Sequence, residues 1–191
     1  HDNYGPGEYA GRGFHWYGYR SDEYVPRKVT ALEGQRVVQV AADNTRTAVV
    51  TSQGEVFMFG TGPDGQPGND DDDEEHKVYL PRRVEALCGK RVVQVAVGSH
   101  HTVVLTVDGA VFSFGDGWLG QLGRFAHHFQ PDWERPPIGW ECPPPEQVMV
   151  KGRENIRMVQ IATGGHHTAM LSEDGEVFTF GCASSGQLGH G

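Results

Sequence analysis

The chain has 191 residues, 37% of them hydrophobic, and a formal net charge of −9, so it offers no broad basic surface to the phosphate backbone of a nucleic acid. No apolar run approaches the roughly 18 residues that a membrane-spanning helix needs, which argues against membrane insertion. Cys88, Cys142 and Cys182 lack metal-ligand spacing and are too few for a disulfide framework, a set that suits a reducing, intracellular compartment.

The 27 glycines, about twice the usual share of roughly 7%, punctuate short strands with tight turns. Because the chain opens at His1 without Met, it is expected to be a segment of something longer. Residues 4–13 place Gly5, Gly7 and Gly13 in the register of Gly60, Gly62 and Gly68, and read as the tail of an earlier unit. Residues 26–32, starting at Pro26, are expected to form a charged outer edge strand. Three strands follow: the apolar run 37–42, the β-branched run 45–51, and 55–59 alternating around Val56, Phe57 and Phe59. Ser52-Gln-Gly54 between the last two is a two-residue hairpin signal.

The connection 61–80 carries Asp70, Asp71, Asp72, Asp73, Glu74 and Glu75. This run lacks the interleaved glycine and spacing of a calcium loop, so it reads as a solvated acidic loop suited to docking a basic partner. Residues 81–87 then repeat the outer strand, and the pattern begins again.

Three copies of the pattern stand at 36–68, 91–123 and 157–189, with Gly60, Gly115 and Gly181 at the same place in each. They lie 55 and then 66 residues apart, a period typical of propellers and arrays. Val107-Asp-Gly109 and Glu173-Asp-Gly175 repeat the hairpin signal. Residues 146–150 stand where the second outer strand would be. Four antiparallel strands, graded from an apolar first to a charged last, describe a propeller blade.

The extra length in the second unit falls in the insertion 116–145. Its Arg124, Phe125, Phe129, Trp133, Arg135 and Trp140 make it the candidate partner-binding surface, since Trp, Tyr and Arg dominate interface hot spots and loops carry binding on repeat scaffolds.

The pairs His100–His101 and His166–His167 are the strongest chemical lure. Adjacent residues of a strand point to opposite faces, so neither pair converges on one ion, and His101 and His167 are expected to bond turn backbone. No Lys-Ser/Thr follows the glycine runs and no nucleophile–base set stands out, so no catalytic residue, metal or cofactor is expected. The first copy departs from the others, with Arg46 in place of His101 and His167 and Gln66-Pro67-Gly68 in place of Gln-Leu-Gly, and reads as degenerate.

Gly-x-x-His-Thr at 98–102 and 164–168, Asp-Gly-x-Val-Phe-x-Phe-Gly at 108–115, and Gly-Gln-Leu-Gly at 120–123 and 186–189 occur together in register. In these motifs the chain resembles the RCC1-like repeat family. The resemblance implies an all-β fold, with residues 1–191 a single RCC1-like β-propeller segment of four-stranded antiparallel blades, about three repeats of a seven-bladed ring. Complete blades are expected at 37–87 and 92–150 and a partial one from Met158, the open faces calling for further blades or a partner. The function implied is a noncatalytic protein-protein interaction scaffold; guanine-nucleotide exchange on a small GTPase, the founding member's activity, is the alternative. A binder of the lectin or β-lactamase-inhibitor kind on the same propeller is a third. The partners expected are proteins, a small GTPase or subunits of a larger assembly among them.

Overall fold

Alternating, β-branched segments joined by glycine turns fold here as antiparallel meanders. The structure is a computed structural model that describes residues 25–43, 45–60, 80–124 and 144–190. The chain divides into a unit His1–Thr30, described only at 25–30, and a unit Ala31–Gly191 that holds every strand discussed below.

In the first blade, β1 (Val37–Ala42), β2 (Arg46–Thr51), β3 (Val56–Gly60) and β4 (Arg82–Arg83) form one sheet in chain order. The second repeats it with β5 (Val92–Val97), β6 (His101–Thr106), β7 (Val111–Gly115) and β8 (Glu146–Gln147). The third has β9 (Met158–Thr163), β10 (His167–Ser172) and β11 (Val177–Gly181). The expected hairpins form where the Asp-Gly signals stand. Gly109, at φ 87°, donates to Thr106 O at 2.9 Å, and its Cα lies so close to the Arg157 side chain of the next blade that a Cβ would collide with it.

Each first strand carries a bulge at one position, marked by register shifts between Val37 and Gln39 and between Val92 and Gln94 and by its counterpart opposite Leu171 and Ser172. The extra residue, Val38, Val93 or Val159, is exposed. Strict alternation would put Val92 and Gln94 on one face; the bulge resets the phase, so Val92, Val95 and Val97 share one face and Gln94 turns toward the next blade.

The core lies between blades. One cluster packs Ala48, Val50, Val56 and Met58 of the first blade against Val92 and Val95 of the second. A second packs Val103, Leu105 and Val111 against Met158, Ile161 and Met170 of the third. Each of the two contacts thus joins the trailing face of one blade to the leading face of the next. Only the middle blade is covered on both sides by described strands, and its third strand is buried throughout.

The outer strands differ from expectation. Residues 81–87 contribute two strand residues, Arg82–Arg83, and then a 3-10 turn at Glu85–Leu87; residues 146–150 contribute only Glu146–Gln147; and 26–32 contain no strand but a 3-10 turn at Thr30–Leu32. The reason is the spacing of the apolar residues. Val84 and Leu87 are three apart and both buried, which a tight turn satisfies and a period-two strand does not. The turn closes with Leu87 N–H on Val84 O at 3.0 Å and Cys88 N–H on Glu85 O at 2.9 Å.

Candidate protein-binding face

The repeated histidine serves the contact between blades. His101, at the start of β6, is fully buried, and its Nε2 lies 2.9 Å from Thr168 Oγ1 on β10 of the third blade. The Thr168 hydroxyl donates its single proton to Gln121 O at 2.9 Å, so it accepts from His101, which therefore carries its proton on Nε2. This corrects the expected bond from His101 to turn backbone. The ring packs directly on Gly98, and His167 on Gly164, where a Cβ would overlap the imidazole in both cases; that close approach is why the motif begins with glycine. Burial, and then the positive charge of Arg46, lower the His101 pKa to about 4, with the neighbouring His166, His167 and His100 adding to the effect. His101 is thus neutral near pH 7.

Arg46 stands at the same place in the first blade and donates from Nη2 to Gly98 O at 2.8 Å. The substitution keeps a side-chain bridge to the next blade. The partners of the two histidine pairs also separate: while His101 points inward, His100 stacks on His166 of the neighbouring blade at 5.5 Å and 16°. Among the described residues no group of three or more His, Cys, Asp or Glu is placed to hold a metal ion.

The turns between first and second strands and the connections leaving the third strands share one end of the blades, which forms a loop face. On it the segment 116–120 is held by its own hydrogen bonds. Asp116 N–H donates to His100 O at 2.8 Å, Trp118 N–H to Asp116 Oδ1 at 2.9 Å, and Leu119 N–H to Gln121 Oε1 at 2.8 Å. Below it Gln121 and Leu122 are fully buried, and Ser113 Oγ donates to Leu122 O at 2.7 Å. Two apolar side chains are left outside this frame, Trp118 at 59% exposure and Leu119 at 48%.

The third blade builds the same turn from other residues. Cys182 N–H donates to His166 O at 2.9 Å, Ser185 N–H to Gln187 Oε1 at 2.7 Å, and Thr179 Oγ1 to Leu188 O at 2.7 Å. There Ser184 and Ser185 occupy the places of Trp118 and Leu119, and both are exposed. The turn therefore requires neither large apolar side chain. Trp118 and Leu119 are not among the residues expected from the sequence to bind a partner, although aligning Asp116-Gly-Trp-Leu-Gly120 with Cys182-Ala-Ser-Ser-Gly186 sets them apart.

Of the residues expected to bind a partner, the structure describes Arg124. Its Nη1 pairs with Glu146 Oε2 at 2.8 Å, and its Nη2 donates to Pro144 O at 3.2 Å and Ser113 O at 3.4 Å, with 13% of the side chain exposed. Arg124 thus ties the two ends of the insertion together at the blade surface. Its guanidinium is engaged within the chain. Phe125, Phe129, Trp133, Arg135 and Trp140, and the acidic run Asp70, Asp71, Asp72, Asp73, Glu74 and Glu75, lie outside the described residues.

The family model of the Regulator of chromosome condensation (RCC1) repeat matches residues 53–105 and 108–171, and a second model of the same repeat matches 92–121 and 158–187. The chain belongs to the RCC1 repeat family. It is 33% identical over 177 residues to the ultraviolet-B receptor UVR8 of Arabidopsis thaliana, covering 92% of this chain and 36% of the receptor. It is also 33% identical over 215 residues to the E3 ubiquitin-protein ligase HERC2 of Homo sapiens, covering 92% of this chain and 4% of the ligase. Among solved structures, human WBSCR16 matches at a TM-score of 0.63 and 27% identity over 83% of this chain and 37% of that one. Prp20p from Saccharomyces cerevisiae matches at 0.63 and 19% identity over 82% of this chain and 35% of its own. The fold is that of an RCC1 β-propeller, and the chain spans about a third or less of the relatives it matches. Among the described residues no helix is long and apolar enough to cross a membrane.

Proposed function

We propose that this propeller segment is a noncatalytic protein-protein interaction scaffold that binds its partner through the loop face around Trp118 and Leu119. One observation carries this reading: two blades build the same hydrogen-bonded turn, and one displays Trp-Leu to solvent where the other displays Ser-Ser. The fold does not account for the exposed indole. A tryptophan held on a rigid turn loses little freedom on binding, which is the character of an interface anchor. The partner is a protein with an apolar pocket and a basic rim facing this chain, whose net charge is −9. Free Cys88 and Cys182 suit an intracellular setting.

The names of the relatives support a protein ligand. The Prp20p structure is described with binding to Gsp1p and histones, and yeast RCC1 has been solved with Kap60 bound. The ligase name belongs to a protein of which the chain matches 4%, so the likeness concerns the repeat module and not a catalytic domain.

The test is the affinity of an identified, purified partner for the chain and for the double variant Trp118→Ser, Leu119→Ser. Loss of a hot-spot anchor weakens binding by about 2 kcal/mol, roughly thirtyfold. Unchanged affinity, with the fold intact by circular dichroism, rules the Trp118 surface out. Guanine-nucleotide exchange on a small GTPase is the competing reading; the scaffold reading predicts no acceleration of nucleotide release across a panel of small GTPases.

A further inference from the structure

The turn that displays Trp118 and Leu119 is part of the second blade, but it rests on the third. Thr168 of β10 donates its hydroxyl proton to Gln121 O at 2.9 Å, and the same hydroxyl accepts from His101 Nε2 at 2.9 Å. The two backbones also meet closely. A Cβ on Gly181, at the end of β11, would stand 3.2 Å from Gln121 Cα, and one on Gly123 would stand 2.7 Å from the Phe180 ring. Glycine at both places, at φ 112° and 67°, permits that approach. From this seat the Gln121 side chain reaches back along its own turn, where its Oε1 accepts from Leu119 N–H at 2.8 Å. One residue thus takes a bond from the third blade on its backbone and holds the exposed tip with its side chain.

The nitrogen of the same amide is not used. Gln121 is fully buried, and its Nε2 has no hydrogen-bond partner among the described residues. A buried N–H left unpaired costs stability, whereas an apolar side chain of similar length fills the same space without that cost. Packing alone therefore gives no reason for glutamine at this place. The bond to Leu119 does.

We propose that Gln121 is a positioning residue for partner binding, seated by Thr168, so that two blades and not one build the binding turn. The inference rests on the reading of Trp118 and Leu119 as partner-binding residues and adds what aims them. A tip kept in one conformation by the blades beneath it has little freedom to lose when a partner takes it up. Loosening the joint between the second and third blades then frees the tip.

Gln121→Met, which keeps the length of the side chain and removes both amide groups, separates positioning from packing. Amide hydrogen exchange of the 191-residue chain is read by NMR alongside urea unfolding. Leu119 N–H is expected to exchange at least about tenfold faster than in the parent, while the urea midpoint is unchanged or raised. Ser185 N–H, which bonds Gln187 Oε1 in the third blade, is expected to keep its rate. Thr168→Val is expected to speed Leu119 exchange as well, and Thr168→Ser, which keeps the hydroxyl, to leave it near the parental rate. An unchanged Leu119 rate in Gln121→Met overturns the proposal. So does a lowered midpoint with Leu119 and Ser185 faster together, because that is the behaviour of a packing residue. No partner enters this measurement, so it holds or fails separately from the affinity test of Trp118→Ser, Leu119→Ser.

Discussion

The single proton of the Thr168 hydroxyl decides the state of His101. Because Thr168 donates to Gln121 O, His101 must be the donor to Thr168, and a second proton on its ring would enter a buried site near the Arg46 guanidinium. The consequence is a dependence of stability on pH. The unfolded chain protonates this imidazole near 6.5 and the folded chain only near 4, so His101 takes nothing from stability above the first value. As pH falls from about 6.5 to about 4 the unfolded state binds the proton first, and stability drops by up to about 3 kcal/mol. His101→Gln keeps a donor for Thr168 and removes the titration. Urea unfolding at about pH 7 and about pH 4.5 is expected to show a smaller acid loss in the variant than in the parent; equal losses would refute the assignment. Arg46 carries the complementary lesson. From the sequence it marks a degenerate copy, yet its longer side chain reaches Gly98 O directly, so the bridging role survives the change of residue.

Among elements, the first strands β1 and β5 hold the array together, because the bulge of each aims a glutamine amide at the backbone of its neighbour. Removing Gln94 leaves the N–H and carbonyl of Ile161 without their partner inside a partly buried contact. Gln94→Ala is expected to destabilise the chain by about 2 kcal/mol, while Gln160→Ala, at the same place in the third blade, changes its stability by only a few tenths. Equal effects in chemical denaturation would mean that the amide bridge is not what matters. The three inner strands and the hairpins are legible in the sequence, since alternation, β-branching and Asp-Gly turns act locally. The bulge and the bridge are not, because both depend on which strand lies beside the element. The outer strands mislead for a related reason: Pro81 and the charged residues after it look like an edge strand, while the i, i+3 pair Val84 and Leu87 pulls the chain into a turn against the core. At the candidate site the opposite holds. The repeated histidines draw the eye first and prove to be packing residues, whereas Trp118 and Leu119 stand out only when the copies are laid side by side.

For the whole molecule, repetition separates two kinds of residue. What recurs along the chain, the Gln amide, the Asp-Gly or Gln-Gly hairpin and the Phe-x-Phe-Gly strand, is turned toward the next blade or into the sheet in the first two blades. Trp118 and Leu119, which occur in one blade only, stand on the loop face, on a turn that the third blade builds without them. Arg124 also occurs once, and Arg124→Ala, which removes its bonds to Glu146 and Pro144, is expected to leave the blades folded and to lower stability in chemical denaturation by no more than about 1 kcal/mol. The most direct measurement of the account is an amide hydrogen-exchange footprint of the chain with its purified partner bound. The account predicts protection of 116–120 and of the neighbouring turns 98–100 and 164–166, with none at the hairpins 52–54, 107–109 and 173–175 on the opposite end. Protection confined to those hairpins would contradict it.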